Sequence, residues 1–166
     1  MKIMTYLNLD TEKSKHTVNE LNTLLADYHV YYQKLRNFHW NVSGVNFFDL
    51  HIKFEELYDD AKLKIDEIAE RILTLRFAPT SNLSDYLEKS NIEESRSDLS
   101  DRDMVDNILK DHGIILKQLS AVVKKADDAG DEGTIDLIGA YIRELEKTSW
   151  MLDAWRKKTA GTYDKA

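Results

Sequence analysis

The sequence predicts an all-α fold, a bundle of four long helices with one long crossover between the second and third. Three observations carry this expectation. A single proline and six glycines in 166 residues leave few of the residues that helices tolerate least. Apolar residues recur at intervals of three and four along four segments, the spacing of one helical face. The breaks between those segments are short, long and short in turn.

Residues 1–9 carry no strong pattern and are expected as a surface arm. Asp10 or Thr11 can cap the first helix, and Glu12 follows where the helix dipole favours negative charge. Val18, Leu21, Leu25, Tyr28, Tyr32 and Leu35 form its stripe, and the helix ends near Trp40 or Val42. Residues 41–44 supply a short break, with Gly44 able to take positive φ beyond the helix end. So short a break makes the second helix an antiparallel neighbour. That helix is expected over residues 46–75, and Pro79 stops any continuation.

Residues 77–100 are too long for a tight turn and rich in Ser, Asn and Asp; residues 84–87 can form one short helix in this crossover. Asp101 or Asp103 opens the third helix, which Ala129 and Gly130 close. The fourth runs from about Glu132 or Thr134 through Trp155, and residues 159–166 make a polar tail. One domain spans 1–166, long enough to bury its own core. Four helices with one crossover describe the ferritin-like arrangement.

The totals narrow the chemistry. With no cysteine, disulfides, thiolate zinc sites and thiol nucleophiles are excluded, so any metal is held by imidazole and carboxylate. The N-terminus lacks an apolar run of signal-peptide length, and no stretch approaches the roughly 20 apolar residues that span a bilayer. A cytoplasmic protein with no membrane partner is expected. The net charge of −7 disfavours DNA and suits a protein that attracts cations.

The second helix carries the candidate site. With His51 as the origin of a helical wheel, Glu55 falls near about 40°, Asp66 near about 60° and Glu70 near about 100°. All four share a face. Yet His51 and Asp66 are roughly 22 Å apart along the axis, while ligand bonds to such metals are about 2.0–2.2 Å. One chain therefore offers two half-sites. His51 and Glu55, joined by His39 across the short break, form one; Asp66 and Glu70 form the other. A second copy packed antiparallel about a two-fold axis would complete both, each with two imidazoles and three carboxylates, and such isologous pairs are the commonest in homo-oligomers. An intrachain di-iron site needs Glu-x-x-His on two helices, and no histidine here has Glu three residues before it. Oxygen and nitrogen donors without thiolate suit Fe(II), Mn(II) or Zn(II).

At these residues the chain resembles the Dps family, the dodecameric mini-ferritins. The motifs are His39-Trp40-Asn-Val-Ser-Gly44, Phe47-Phe48-Asp-Leu-His51, Phe54-Glu55-Glu56-Leu-Tyr58 and Asp66-Glu-Ile-Ala-Glu70-Arg71, and the likeness covers nearly the whole chain. It implies that His39, His51 and Glu55 of one subunit face Asp66 and Glu70 of a two-fold mate. Glu55 stands where many members have Asp. It further implies a sink for oxidising equivalents at Trp40, and iron entry through three-fold pores lined by Asp127, Glu132 and Asp136, a carboxylate funnel that concentrates cations. The implied activity is ferroxidase: Fe(II) is oxidised, preferably by hydrogen peroxide, and stored as ferric mineral in a hollow dodecamer built from two-fold dimers. Zn or Mn would compete for the same donors. Many members bind DNA through Lys-rich extensions; here Lys2 is the only cation before Asp10 and the Arg156-Lys157-Lys158 cluster is small. DNA binding is therefore disfavoured, with bridging by divalent cations left open. The alternative reading is a nucleoid-binding architectural protein with minor metal chemistry. His16, His29 and His112, and the tyrosines Tyr28, Tyr31 and Tyr32, are read as packing or surface groups.

Overall fold

The computed structural model describes residues 3–4 and 6–157. Its elements are β1 (Ile3–Met4), β2 (Leu9–Asp10), α1 (Thr11–Asn41), α2 (Phe47–Thr74), α3 (Leu83–Lys89), α4 (Asp101–Ala129) and α5 (Glu132–Arg156). The four long helices form the bundle, and α3 is the short helix within the crossover. The fold is all-α and ferritin-like, as the periodicity predicts.

The helix ends follow their caps. The Asp10 carboxylate accepts from the backbone N–H groups of Glu12 and Lys13 at the start of α1, satisfying donors that have no partner inside the helix. Gly44 sits at φ 100° and Gly130 at φ 67°, left-handed conformations that glycine reaches without steric cost. Asp131 caps α5, accepting from the Thr134 N–H at 3.0 Å.

Within the segment expected as an arm, the described residues form a short strand pair. Ile3 pairs with Asp10 and Met4 with Leu9 in a two-stranded antiparallel ladder, and Asn8 turns the chain at φ 55°. Asn is among the residues that tolerate this region. Two-residue strands are too short for an alternating pattern to show. The tail at 159–166 lies outside the described residues, as do Lys2 and Lys158.

The core is built where the stripes meet. Leu21, Leu24 and Phe38 of α1, Phe54, Ile68 and Ile72 of α2, Ile108, Ile115 and Leu119 of α4, and Ile138 of α5 are all fully buried. α1 packs against α2 and α4, α4 against α5, and α3 lies on α1. α2 and α5 are joined by long polar side chains: Arg71 donates to Asp131 and Thr134, Tyr141 to Glu67, and Lys64 pairs with Glu144.

Two polar networks run through the bundle, while the buried Ser14, Thr17 and Tyr28 hydroxyls have no hydrogen-bond partner among the described residues. The Ser149 hydroxyl donates to the Leu145 carbonyl and so accepts from His112 Nδ1 at 2.7 Å. His112 Nε2 then accepts from the Tyr31 hydroxyl at 2.7 Å. Burial pushes the His112 pKa down to about 3, so the ring stays neutral. His112 and Tyr31 are structural groups, in line with the reading of them as packing. Asp27, also buried, accepts from the Ser90 hydroxyl and the Asn91 N–H, pinning the crossover to α1.

Candidate metal centre

The α1–α2 hairpin brings His39 and His51 together. Their rings stack with centroids 3.8 Å apart and planes 20° from parallel. His39 Nδ1 lies 2.7 Å from the His51 carbonyl oxygen, and His51 Nδ1 lies 2.8 Å from the His39 carbonyl oxygen. A carbonyl oxygen only accepts, so both Nδ1 atoms carry hydrogen and donate. In the neutral ring this tautomer leaves the lone pair on Nε2, the form of imidazole that ligates metal, with ring orientation set by the bond at the other nitrogen. Phe47 stacks on the outer side of His51 at 4.9 Å, and Asn46 Nδ2 donates to Asp101 at 2.7 Å, tying the start of α2 to α4.

Glu55 lies one turn beyond His51 and is exposed. Its Oε1 accepts from the Tyr58 hydroxyl at 3.2 Å. Tyr58 in turn stands edge-on to His39, with centroids 5.4 Å apart and planes at 88°. Partial burial and the bond to Glu55 raise the Tyr58 pKa, which keeps the phenol protonated and donating. Sequence reasoning missed Tyr58 as a site neighbour. Its signal was available: seven residues after His51, it falls within about 20° of it on the wheel.

Asp66 and Glu70 are exposed at the other end of the same face. Among the described residues of one chain, no three His, Asp or Glu side chains gather closely enough to hold a metal ion. The structure thus brings the two histidines together, sets Glu55 against Tyr58, and leaves Asp66 and Glu70 apart from all three. Trp40 is 59% exposed, with the Arg36 guanidinium carbon 4.8 Å from its ring centroid.

The exposed face of α2 mixes acids with large apolar side chains. Phe48, Ile52, Leu63 and Leu73 are each more than half exposed. They alternate along the helix with exposed Glu55, Asp59, Lys62, Asp66 and Glu70, all within about 100° of one another. Apolar side chains at this density along one solvent-facing helix mark a surface that associates.

At the α4–α5 turn, Asp127, Glu132 and Asp136 are exposed. Asp131 differs from them: it is 1% exposed and committed to Thr134 and Arg71. The structure separates the three surface acids from the structural one between them.

A family model for the ferritin-like domain matches residues 18–161. The chain is 43% identical over 142 residues to DNA protection during starvation protein 2 of Bacillus anthracis, covering 86% of this chain and 97% of that one. Among solved structures it is similar to a Dps protein of Vibrio cholerae, described as a member of a broad superfamily of ferritin-like diiron-carboxylate proteins. That match has a TM-score of 0.90, 44% identity, and coverage of 95% of this chain and 99% of that one. A Dps protein of Bacillus brevis matches with a TM-score of 0.86 and 40% identity, covering 89% and 99% of the two chains.

Proposed function

Because this chain belongs to the Dps family of ferritin-like proteins, we propose that it is a ferroxidase that stores iron. It takes Fe(II) as substrate at sites shared across a two-fold dimer, oxidises it, preferably with hydrogen peroxide, and holds the ferric product as mineral inside a hollow dodecamer. One observation carries this reading: the reciprocal bonds from Nδ1 of His39 and His51 to each other's carbonyl, which leave both Nε2 lone pairs to a metal. His112, buried within the bundle, instead commits both its nitrogens to protein partners.

The face of α2 supports the shared site. Laid antiparallel on its own copy, the register that sets His51 against Glu70 of the partner subunit sets Glu55 against the partner subunit's Asp66. The same register sets Phe48 against the partner subunit's Leu73, and Asp59 against the partner subunit's Lys62. Ligand with ligand, apolar with apolar and acid with base follow from one choice of register. The exposed apolar residues of α2 are then covered, and each metal position gains the carboxylates that one chain lacks.

At such a site the residues hold and neutralise. Two imidazole nitrogens and three carboxylates suit Fe(II), and the hard oxygen donors favour the more highly charged ferric product. Two Fe(II) ions each give one electron to one peroxide, which takes up two protons and leaves as two waters. Zn(II) fills the same donors but has no electron to give, so it inhibits. Asp127, Glu132 and Asp136 form the entry funnel. With a net charge of −7, protection of a cytoplasmic nucleoid comes from removing iron and peroxide rather than from coating DNA.

The test adds Fe(II) to the apo-protein without oxygen, then peroxide, while ferric absorbance is followed. Oxidation above the buffer rate, with iron co-eluting with a twelve-subunit particle, is expected. Oxidation at the buffer rate with no retained iron overturns the reading.

A further inference from the structure

Three aromatic rings lie one on another at the start of α2. The His51 imidazole is in the middle. His39 stacks on one side with centroids 3.8 Å apart, and Phe47 on the other at 4.9 Å, with planes 24° from parallel. Phe47 is held in turn. It is the first residue of α2, its N–H donates to the Gly44 carbonyl at 3.2 Å, and the preceding Asn46 is tied to Asp101. The Phe48 ring stands edge-on to it, with centroids 5.4 Å apart and planes at 77°.

The two histidines are not equally secured. His39 is 8% exposed, with Tyr58 edge-on beside it. His51 is only half-buried, and its bond from Nδ1 to the His39 carbonyl fixes one point of the ring. About that point the ring can still tilt. A metal held at Nε2 lies in the ring plane, so the plane decides where the metal stands relative to Glu55, one turn further on. The flat faces of His39 and Phe47 set that plane.

We propose that Phe47 is a positioning residue for the metal centre: its ring fixes the plane of His51 and stabilises that imidazole when it is metal-bound. This rests on the shared site proposed above. Coordination draws electron density from an imidazole and leaves the ring more positive. The face of a phenyl ring is negative, so the stack strengthens on metal binding, as a cation over an aromatic face is attracted to it. An aliphatic side chain of similar size covers His51 but has neither a flat face nor a quadrupole. Phe47 carries no donor atom of its own and acts through His51.

The experiment titrates Zn(II) into the assembled, metal-free protein by calorimetry and records the visible bands of Co(II) bound at the same site. Phe47→Leu and Phe47→Met remove the ring with little loss of bulk, while Phe47→Tyr keeps it. Both aliphatic variants should bind Zn(II) about tenfold more weakly, with Co(II) bands displaced from those of the parent. Phe47→Tyr should restore both. In peroxide-driven oxidation, the half-saturating Fe(II) concentration should rise to the same extent with the maximal rate unchanged. Sedimentation velocity should show the parent's particle in every variant. Zn(II) affinity and Co(II) bands equal to the parent's in the aliphatic variants overturn the proposal. So does a Phe47→Tyr variant as weak as Phe47→Leu, or a weakening found only where the particle dissociates, which makes Phe47 a packing residue. If His51→Ala binds Zn(II) as the parent does, the shared site beneath the proposal falls as well.

Discussion

His39 and His51 each donate from Nδ1 to the other's main-chain carbonyl, so neither ring turns without breaking a bond that holds its neighbour. The pair closes the short α1–α2 connection and fixes the orientation of both rings in the same step. A helix end that must satisfy its carbonyls here does so with the two side chains proposed as metal ligands.

The shared site predicts complementation. His51→Ala and Asp66→Ala should each abolish peroxide-driven Fe(II) oxidation in a homo-oligomer. In a mixed dimer one site carries both losses and the other carries neither. Random pairing of equal amounts should therefore restore about a quarter of the parent rate. Zero recovery in particles shown by mass to contain both chains would refute a site built from two subunits.

The register of α2 on its copy predicts a charge reversal. Lys62→Glu sets like charges together twice by symmetry, weakening the dimer by about 1–2 kcal/mol, roughly tenfold in its dissociation constant. Adding Asp59→Lys to the same chain should restore the parent value. Sedimentation velocity at low salt measures both, and if the double variant is no better than the single one, the register is wrong.

Asp131 predicts a local stability effect. Asp131→Ala removes the cap on Thr134 and leaves Arg71 without its carboxylate, which should cost about 1–3 kcal/mol. Gly130→Ala, at φ 67°, should cost about 1 kcal/mol. Urea unfolding at fixed protein concentration reads each. A change under a few tenths of a kcal/mol in Asp131→Ala would show that the turn is held by other contacts.

His112 predicts acid sensitivity. Its pKa is about 3 in the fold and about 6.5 in the unfolded chain. Below pH 6.5 the unfolded state binds a proton that the folded state does not, so stability falls as pH drops through the window from about 6.5 to about 3. The loss from this group by pH 5 is about 2 kcal/mol. His112→Gln should flatten the difference in unfolding free energy between pH 7 and pH 5 by that amount. An unchanged difference would place the acid sensitivity elsewhere, and neighbouring Asp111, raised by burial, is common to both proteins.

Much of this was readable in advance because helices announce themselves locally. The cap at Asp10, the break at Gly44 and the stop at Gly130 are each determined by one residue and its neighbours, and all three stand where the periodicity put them. The pairing of His39 with His51 was legible too, since the five-residue connection over 42–46 leaves little freedom. What escaped depends on distance in space. Tyr58 entered only as part of a motif, and only the fold shows its hydroxyl on Glu55. The buried Lys34–Asp111 pair joins residues on two helices whose facing register no local pattern encodes. The strand pair at Leu9 and Asp10 was too short to leave a trace.

Glu70 and Arg71 are consecutive, yet they serve different ends of the molecule. Glu70 lies on the exposed face of α2, while Arg71 reaches back to clamp Asp131 and Thr134 at the α4–α5 turn, packed so closely over Gly133 that a Cβ there would press on its guanidinium at 3.0 Å. A single peptide unit thus joins the face that carries the proposed iron site to the bend beside the acids proposed as its entry. On that reading, reshaping the bend to admit another cation would also shift Glu70 through its neighbour Arg71.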